Sequence, residues 1–158
     1  MPDEGQELPA YIKAKAAQVG DRLQRMAETQ GLKMVTADWI PNPRLAHEAT
    51  EFARAHGKGN EFHRIVFGQY YGEGLDIGGW DALRAAATAS GLDADEMQTT
   101  VDSGQYRQRV EDMIQEAHSI GVSSVPTYVI NDRYAIVGAQ PIAVFKQVIE
   151  RIQAGSES

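Results

Sequence analysis

Over the first 120 positions, apolar residues recur at intervals of three and four, which is the period of amphipathic α-helices. Glycine directly follows several of these stretches, in the position where helices commonly end. The pattern predicts helices over residues 8–30, 43–56, 61–71, 80–90, 93–103 and 105–120, the first of them either continuous or divided at Gly20. Residues 32–36 are expected to form a short extended segment.

Two short motifs mark predicted helix starts. Asn42 precedes Pro43, an arrangement in which asparagine caps the helix and proline occupies its first turn. Farther along, Asp93 and Glu96 have the spacing of a capping box, in which the aspartate side chain accepts from the backbone three residues on and the glutamate reaches back. The motifs therefore fix the predicted starts of two helices.

The period of the pattern changes after Gly121. Residues 127–130 and 134–137 are rich in β-branched and aromatic residues, and Asn131-Asp132-Arg133 between them is typical of a turn. We therefore predict an antiparallel hairpin. Pro141 then begins a last helix, whose apolar residues form one stripe.

Length and composition indicate a single domain. The chain has 158 residues, of which 42% are hydrophobic and 23% charged, which is enough for one core and too little to favour two domains. Its formal charge of −7 opposes binding to nucleic acid and to anionic lipid. No apolar run approaches the roughly 20 residues that span a bilayer, and the first residues are acidic, unlike a secretory signal. We expect a cytoplasmic protein with no nucleic-acid or membrane partner.

The chain contains no cysteine, which excludes a thiolate nucleophile, a disulfide and a thiolate metal site for this polypeptide acting alone. The four histidines lack metal-binding spacing, and the capping box accounts for Asp93 and Asp95, so no metal is expected. The glycines at Gly72 and Gly74 do not complete a dinucleotide-binding pattern, so no cofactor is expected. Spacing alone assigns no catalytic Ser, His and Asp set.

Just before the predicted hairpin stands Pro126, whose missing N–H leaves an edge that cannot donate a hydrogen bond yet can face a ligand. This stretch and two others resemble the DsbA family of thioredoxin-fold proteins, particularly its FrnE-like branch. The stretches are Gly121-Val-Ser-Ser-Val-Pro126-Thr-Tyr-Val-Ile-Asn-Asp-Arg-Tyr-Ala-Ile-Val-Gly-Ala-Gln140, Gln69-Tyr-Tyr-Gly-Glu-Gly-Leu-Asp-Ile-Gly78 and Ile40-Pro-Asn-Pro-Arg-Leu-Ala-His47. The resemblance covers nearly the whole chain.

The resemblance implies an α/β, thioredoxin-like fold of the DsbA type in one domain over residues 1–158. A large helical insertion would occupy about residues 1–120, and the closing β-β-α unit about residues 121–154. The family's opening unit, which consists of a strand, a Cys-x-x-Cys helix start and a second strand, would precede Met1. We therefore expect a fold truncated at its N-terminus, in which mainly helices and the closing unit remain.

The resemblance also implies a substrate-binding site, with no catalytic residue in this chain. In a family member the bond before the corresponding proline is cis and the main chain beside it faces an extended peptide; the alternative here is that Pro126 only begins an edge strand. His47 either lines a pocket or packs as an ordinary histidine. The implied substrate-binding residues are Ser124, Val125, Pro126, Thr127, His47 and Asn42.

Three interpretations of function follow from the resemblance. The first is a thiol–disulfide oxidoreductase family protein that supplies the proline loop for an extended peptide or protein thiol substrate but is itself redox-inert. The second is a noncatalytic module that binds a peptide or small ligand. The third is a relative of the glutathione-dependent 2-hydroxychromene-2-carboxylate isomerases.

The predicted hairpin poses a question of stability. A two-stranded sheet is marginal in water, and an open edge invites pairing with another chain. We expect the edge to be covered by a second copy in a homodimer, by a strand-sharing partner, or by residues 32–36 or the N-terminal residues of the same chain.

Overall fold

The computed structural model describes Pro2, residues 4–36 and residues 38–155, with the backbone alone given for residues 15–19. The chain divides into two compact units, Met1–Asp112 and Met113–Ser158. The prediction of a single domain, with a boundary near residue 120 between its helical part and its closing unit, stays a prediction. Within the described ranges, every helix is too short or too polar to span a lipid bilayer.

Helices make up most of the first unit. They are α1 (Ala10–Thr29), α2 (Arg44–Ala55), α3 (Gly59–Phe67), α4 (Trp80–Ala89) and α5 (Ala94–Asp102), followed by α6 (Arg107–Ser119), which runs on past residue 112. Helix α3 continues directly into a π-helical turn over Gly68–Glu73. The predicted helices are confirmed, with ends that differ by about one or two residues, the usual uncertainty of helix boundaries.

A small antiparallel sheet near the N-terminus was not predicted. It pairs β1 (Gln6–Glu7) with β2 (Trp39–Ile40). Residues 32–36 belong to no strand, although the Val35 N–H donates to the Tyr71 carbonyl oxygen at 2.8 Å. The expectation that residues 32–36 or the N-terminal residues cover the hairpin edge stays a prediction. In the part of the chain described, the N-terminal strand pairs with β2.

The core of the first unit lies where α2, α3, α4 and α5 meet. Its largest fully buried apolar side chains are Phe52, Phe62, Leu83, Met97 and Val101. Alanines on the inner faces of α2 and α4 let the helices approach closely, because ridges of small side chains leave room for the facing helix. These alanines are Ala46, Ala49, Ala53, Ala86 and Ala87.

The predicted start of the α5 helix is confirmed at Asp93. Its carboxylate accepts hydrogen bonds from the main-chain N–H groups of Asp95 and Glu96, both at 2.9 Å. The Glu96 side chain lies instead 3.8 Å from Nε2 of His56. The cap therefore satisfies two of the N–H groups that a helix start leaves without partners.

The second unit contains the predicted hairpin and last helix. Strands β3 (Thr127–Ile130) and β4 (Tyr134–Val137) are antiparallel, with Thr127 opposite Val137, and α7 (Ile142–Gly155) follows. Asn131 and Asp132 make the turn with φ of 52° and 53°, a region that these two residue types tolerate. The hairpin and α7 meet where the ring of Tyr128 lies edge-on to Phe145, with centroids 4.9 Å apart.

Candidate functional site

The loop that precedes β3 begins where α6 ends. Gly121 adopts φ of +81°, a left-handed conformation that favours glycine. Its N–H donates to the His118 carbonyl at 3.0 Å, and the Val122 N–H donates to the Ala117 carbonyl at 2.9 Å. This pair of bonds closes the helix and turns the chain into the loop.

The loop itself is fixed by two hydrogen bonds. The Thr127 hydroxyl donates to the Ser124 carbonyl at 2.7 Å, and the Gly138 N–H donates to the Pro126 carbonyl at 2.8 Å. The peptide bond between Val125 and Pro126 is cis. Four of the predicted substrate-binding residues thus form one continuous segment that is tied to the end of β4.

The outer edge of β3 pairs with no strand among the described residues. In an antiparallel pair the main-chain groups of successive residues point alternately toward and away from the partner strand. Because the Pro126 carbonyl faces β4, the main-chain groups of Thr127 and Val129 face away from it. The sheet has two strands in the part of the chain described, and the Val125 side chain just before it is 87% exposed.

Asn42 has a structural role in the first unit. Its Oδ1 accepts from the Arg44 N–H at 3.0 Å. The predicted cap is wrong by one residue, because Pro43 and not Asn42 occupies the N-cap position and α2 begins at Arg44. Its Nδ2 donates to the Pro2 carbonyl at 3.2 Å. Both ends of the amide are therefore engaged within the chain, and a direct contact with substrate through this side chain stays a prediction.

His47 lies on α2 among positively charged neighbours. The residue is exposed by surface area, yet partial burial of its imidazole lowers the pKa of His47 below its usual range. The charges of His63, Arg44 and Arg54 lower the pKa further, and Glu51 opposes them. A site at His47 would favour the neutral imidazole.

A polar cavity of about 430 Å³ lies at the start of α2, and the sequence analysis did not identify it. We call it the Glu48 cavity; its walls are formed by Asn42, Arg44, Leu45, Glu48, Gly78, Val101, Asp102 and Arg107. Glu48 is only 4% exposed. The signal in the sequence was an acidic residue placed within the apolar face of α2, between Leu45 and Phe52.

A second cavity, of about 220 Å³, is mostly apolar and lies beside α1. Tyr70 and Tyr71 of the π-helical turn form one wall, and Met34 and Val35 contribute another part. Burial, with a smaller contribution from Tyr71, raises the pKa of Tyr70. The neutral phenol of Tyr70 is thus favoured at physiological pH.

The predicted site residues fall into three places. Ser124, Val125, Pro126 and Thr127 form the loop in the second unit, Asn42 borders the Glu48 cavity in the first unit, and His47 lies beside His63 rather than in that cavity. Among the described residues, no group of three or more His, Asp or Glu side chains is arranged to hold a metal ion.

Comparison with known proteins identifies relatives of the chain. A model of the DSBA-like thioredoxin domain family matches residues 1–150. The chain is also 30% identical to the uncharacterized protein YwbO of Bacillus subtilis (strain 168) over 130 residues, which are 80% of this chain and 64% of that protein. The chain therefore spans slightly less than two thirds of the length of this relative.

Solved structures give the same picture of the fold. A probable DsbA oxidoreductase from Streptomyces coelicolor is similar with a TM-score of 0.80 and 26% identity, over 89% of this chain and 62% of that one. A 2-hydroxychromene-2-carboxylate isomerase is similar with a TM-score of 0.74 and 22% identity, over 93% of this chain and 72% of that one. At that identity, the likeness to the isomerase shows the fold alone.

Proposed function

Because the chain belongs to the DSBA-like thioredoxin domain family, we propose that it binds extended polypeptide along the open edge of β3, as a FrnE-like thiol–disulfide oxidoreductase family protein. In this role it supplies the substrate loop, formed by Ser124, Val125, Pro126 and Thr127. The observation that carries the proposal is the outward-facing main chain of Thr127 and Val129 beside the exposed Val125.

The physical basis is addition of a strand to a sheet edge. An extended peptide that pairs with Thr127 and Val129 would gain main-chain hydrogen bonds whatever its sequence, as in other proteins that bind peptides at a sheet edge. The Val125 side chain, 87% exposed, offers apolar contact at the start of that edge. Binding of this kind suits unfolded substrates of varied sequence.

The chain alone is proposed to be redox-inert. Thiol–disulfide exchange proceeds through attack of a thiolate on a disulfide sulfur and a mixed-disulfide intermediate, and this chain contains no cysteine to form one. We expect the purified chain to leave the rate of insulin reduction by dithiothreitol unchanged. Acceleration of that reaction by the chain would refute this part of the proposal.

Peptide binding is tested by titrating a labelled, permanently unfolded polypeptide, such as carboxymethylated α-lactalbumin, into the chain. Val125→Asp is expected to weaken binding about tenfold, because it places a charge where an apolar contact forms. The matched control is Ile142→Asp, which changes another exposed aliphatic residue of the second unit, 72% exposed, at the start of α7. Equal affinity of the two variants and the parent would contradict the proposal.

The open edge also supports a proposal about assembly. The hairpin leaves Val129 and Val137 about half exposed, and edge strands of this kind pair readily with another chain. We expect a homodimer or a complex with a strand-sharing partner. Sedimentation of the purified chain tests the first of these, and a monomer at all concentrations would exclude the homodimer.

The noncatalytic module stays the alternative. It shares the unchanged insulin assay with the proposed function, and binding of a small ligand without binding of the unfolded polypeptide would favour it. The glutathione-dependent alternative has support from fold likeness alone. Calorimetric titration with glutathione tests it, and absence of heat would remove it from consideration.

A further inference from the structure

We propose that the Glu48 cavity binds a small aliphatic α-amino acid, whose ammonium group meets the Glu48 carboxyl group, whose carboxylate meets the Arg107 guanidinium and whose side chain lies against Leu45. This inference is independent of the proposed peptide binding, since every residue of the cavity belongs to the first unit and the proline loop to the second.

The first argument comes from Glu48. Its side chain is 96% buried, lines the cavity and forms no hydrogen bond or ion pair with any residue that the structure describes. Its oxygens are not among the fully buried polar atoms without a partner, so they remain accessible from the cavity, where a charged donor can reach them. An ammonium group supplies both N–H donors and the opposite charge.

The second argument comes from the other charged groups of the cavity. Arg44 already pairs with Glu111 at 3.0 Å, and Asp102 accepts from the Trp80 indole N–H at 3.1 Å. The Arg107 guanidinium, in contrast, has no polar partner within the described ranges. Glu48 and Arg107 are therefore left without a polar partner in the same cavity, and a zwitterion matches both where a simple cation or anion matches one. Asp102 keeps its charge, because the indole is a neutral donor.

The third argument concerns size and shape. The cavity has a volume of about 430 Å³, which falls in the usual range for small-molecule sites. Leu45 and Val101 give it an apolar wall. A Cβ atom added at Gly78 would lie 3.2 Å from the Asn42 carbonyl oxygen, so this side of the cavity is closely packed and bounds the ligand.

The test is calorimetric titration of the full chain with L-leucine, N-acetyl-L-leucine and L-leucinamide. L-Leucine is expected to bind with one site per chain. Each analogue lacks one charged end, and each is expected to bind at least about tenfold more weakly, the effect of losing one charge-assisted hydrogen bond.

Variants assign the two ends of the ligand. Glu48→Gln is expected to weaken leucine binding about tenfold and to abolish the difference between leucine and N-acetyl-L-leucine, since the ammonium group then has no carboxyl partner. Arg107→Gln is expected to abolish the difference between leucine and leucinamide in the same way. The matched controls are Glu116→Gln and Arg25→Gln, which make the same changes at exposed positions elsewhere and are expected to keep the parent affinity.

Three results would overturn the proposal: no heat on titration with leucine, binding of either analogue as tight as that of leucine, or unchanged leucine affinity in Glu48→Gln. If Glu48→Gln does not fold, the comparison of the three ligands on the parent chain and on Arg107→Gln still decides the question. Failure of leucine binding would leave the unfolded-polypeptide titration unaffected, so the two proposals fail separately.

Discussion

The main-chain N–H of Gly138 donates to the carbonyl oxygen of Pro126 at 2.8 Å. Because this bond holds the Pro126 carbonyl toward β4, it determines which main-chain groups of β3 face the open edge. Gly138 makes this contact with φ of +83°, a backbone conformation that residues other than glycine rarely adopt. One glycine at the end of β4 therefore orients the proposed substrate loop.

Gly138→Ala is expected to destabilise the chain by about 1–2 kcal/mol, the usual cost of a left-handed residue that carries a Cβ atom. The matched control is Gly68→Ala, at φ of −60° with no atom within 4 Å of the added Cβ, which is expected to be neutral or to stabilise by up to about 1 kcal/mol. Urea unfolding followed by circular dichroism measures both. Equal free energies of unfolding for the two variants would contradict the role given to Gly138.

Phe62→Ala is expected to lower the free energy of unfolding by about 3–5 kcal/mol, because it leaves a cavity among tightly packed side chains. Phe62, on α3, is fully buried in the core of the first unit. Phe67→Ala, on the same helix but 51% exposed, is expected to cost about 0.5–1 kcal/mol. Denaturant titration of the pair provides the comparison, and similar losses would mean that the core is assigned to the wrong face of α3.

Asp93→Ala is expected to cost about 1 kcal/mol, the typical effect of removing an N-cap side chain. The Asp95 and Glu96 N–H groups lose their shared acceptor in this variant. Asp93→Asn keeps an acceptor oxygen at the same place and is expected to retain most of the stability. Thermal unfolding of the two variants separates the contribution of the hydrogen bonds from that of the negative charge. If both variants lose the same stability, the effect of Asp93 is due to its charge.

The lowered pKa of His47 predicts a pH-dependent stability. The unfolded chain binds the proton of this histidine more readily than the folded chain does, so stability rises with pH across the interval between the two pKa values. That contribution is fully present above the ordinary histidine pKa of about 6.5 and is lost as the pH falls through the lowered value. The folded chain should therefore become less stable on mild acidification.

His47→Gln is expected to reduce the change in Tm between about pH 7.5 and about pH 5.5, which bracket the ordinary histidine pKa. His118→Gln removes a histidine from α6 and serves as the matched control. Calorimetric scans at the two pH values provide the measurement. If the parent and His47→Gln show the same change in Tm, groups other than His47 cause the pH dependence of stability.

The helices were predictable from sequence because apolar residues recur with helical period and so lie on one face of each helix. Phe62 and Val66, four residues apart, are both buried on α3, and the cap at Asp93 depends only on neighbouring residues. The hairpin was predictable for a similar reason, since Asn131 and Asp132 tolerate the positive φ of its turn. All these signals lie within a few residues of the feature they predict.

The features that sequence reasoning missed depend on contacts between distant residues. Strands β1 and β2 have two residues each, too few for a visible alternation, and Gln6 pairs with Ile40 across the whole of α1. The Glu48 cavity draws on α2, α5 and the start of α6, which no local pattern relates. The one available signal was an acidic residue, Glu48, on the apolar face of α2. The sequence could not show that it lines a cavity, because the cavity depends on where the surrounding helices lie.

The wide turn at Gly68–Glu73 sets the angular phase of the residues that follow α3. A π-helical turn holds one residue more than the α-helical turn that would otherwise take its place, so deletion of one residue there would let ordinary α-helical bonding continue. Tyr70 and Tyr71, which line the apolar cavity, lie within this turn, and the deletion would change their positions on it. The wall that the two tyrosines give the cavity thus depends on the length of the turn as well as on its residue types.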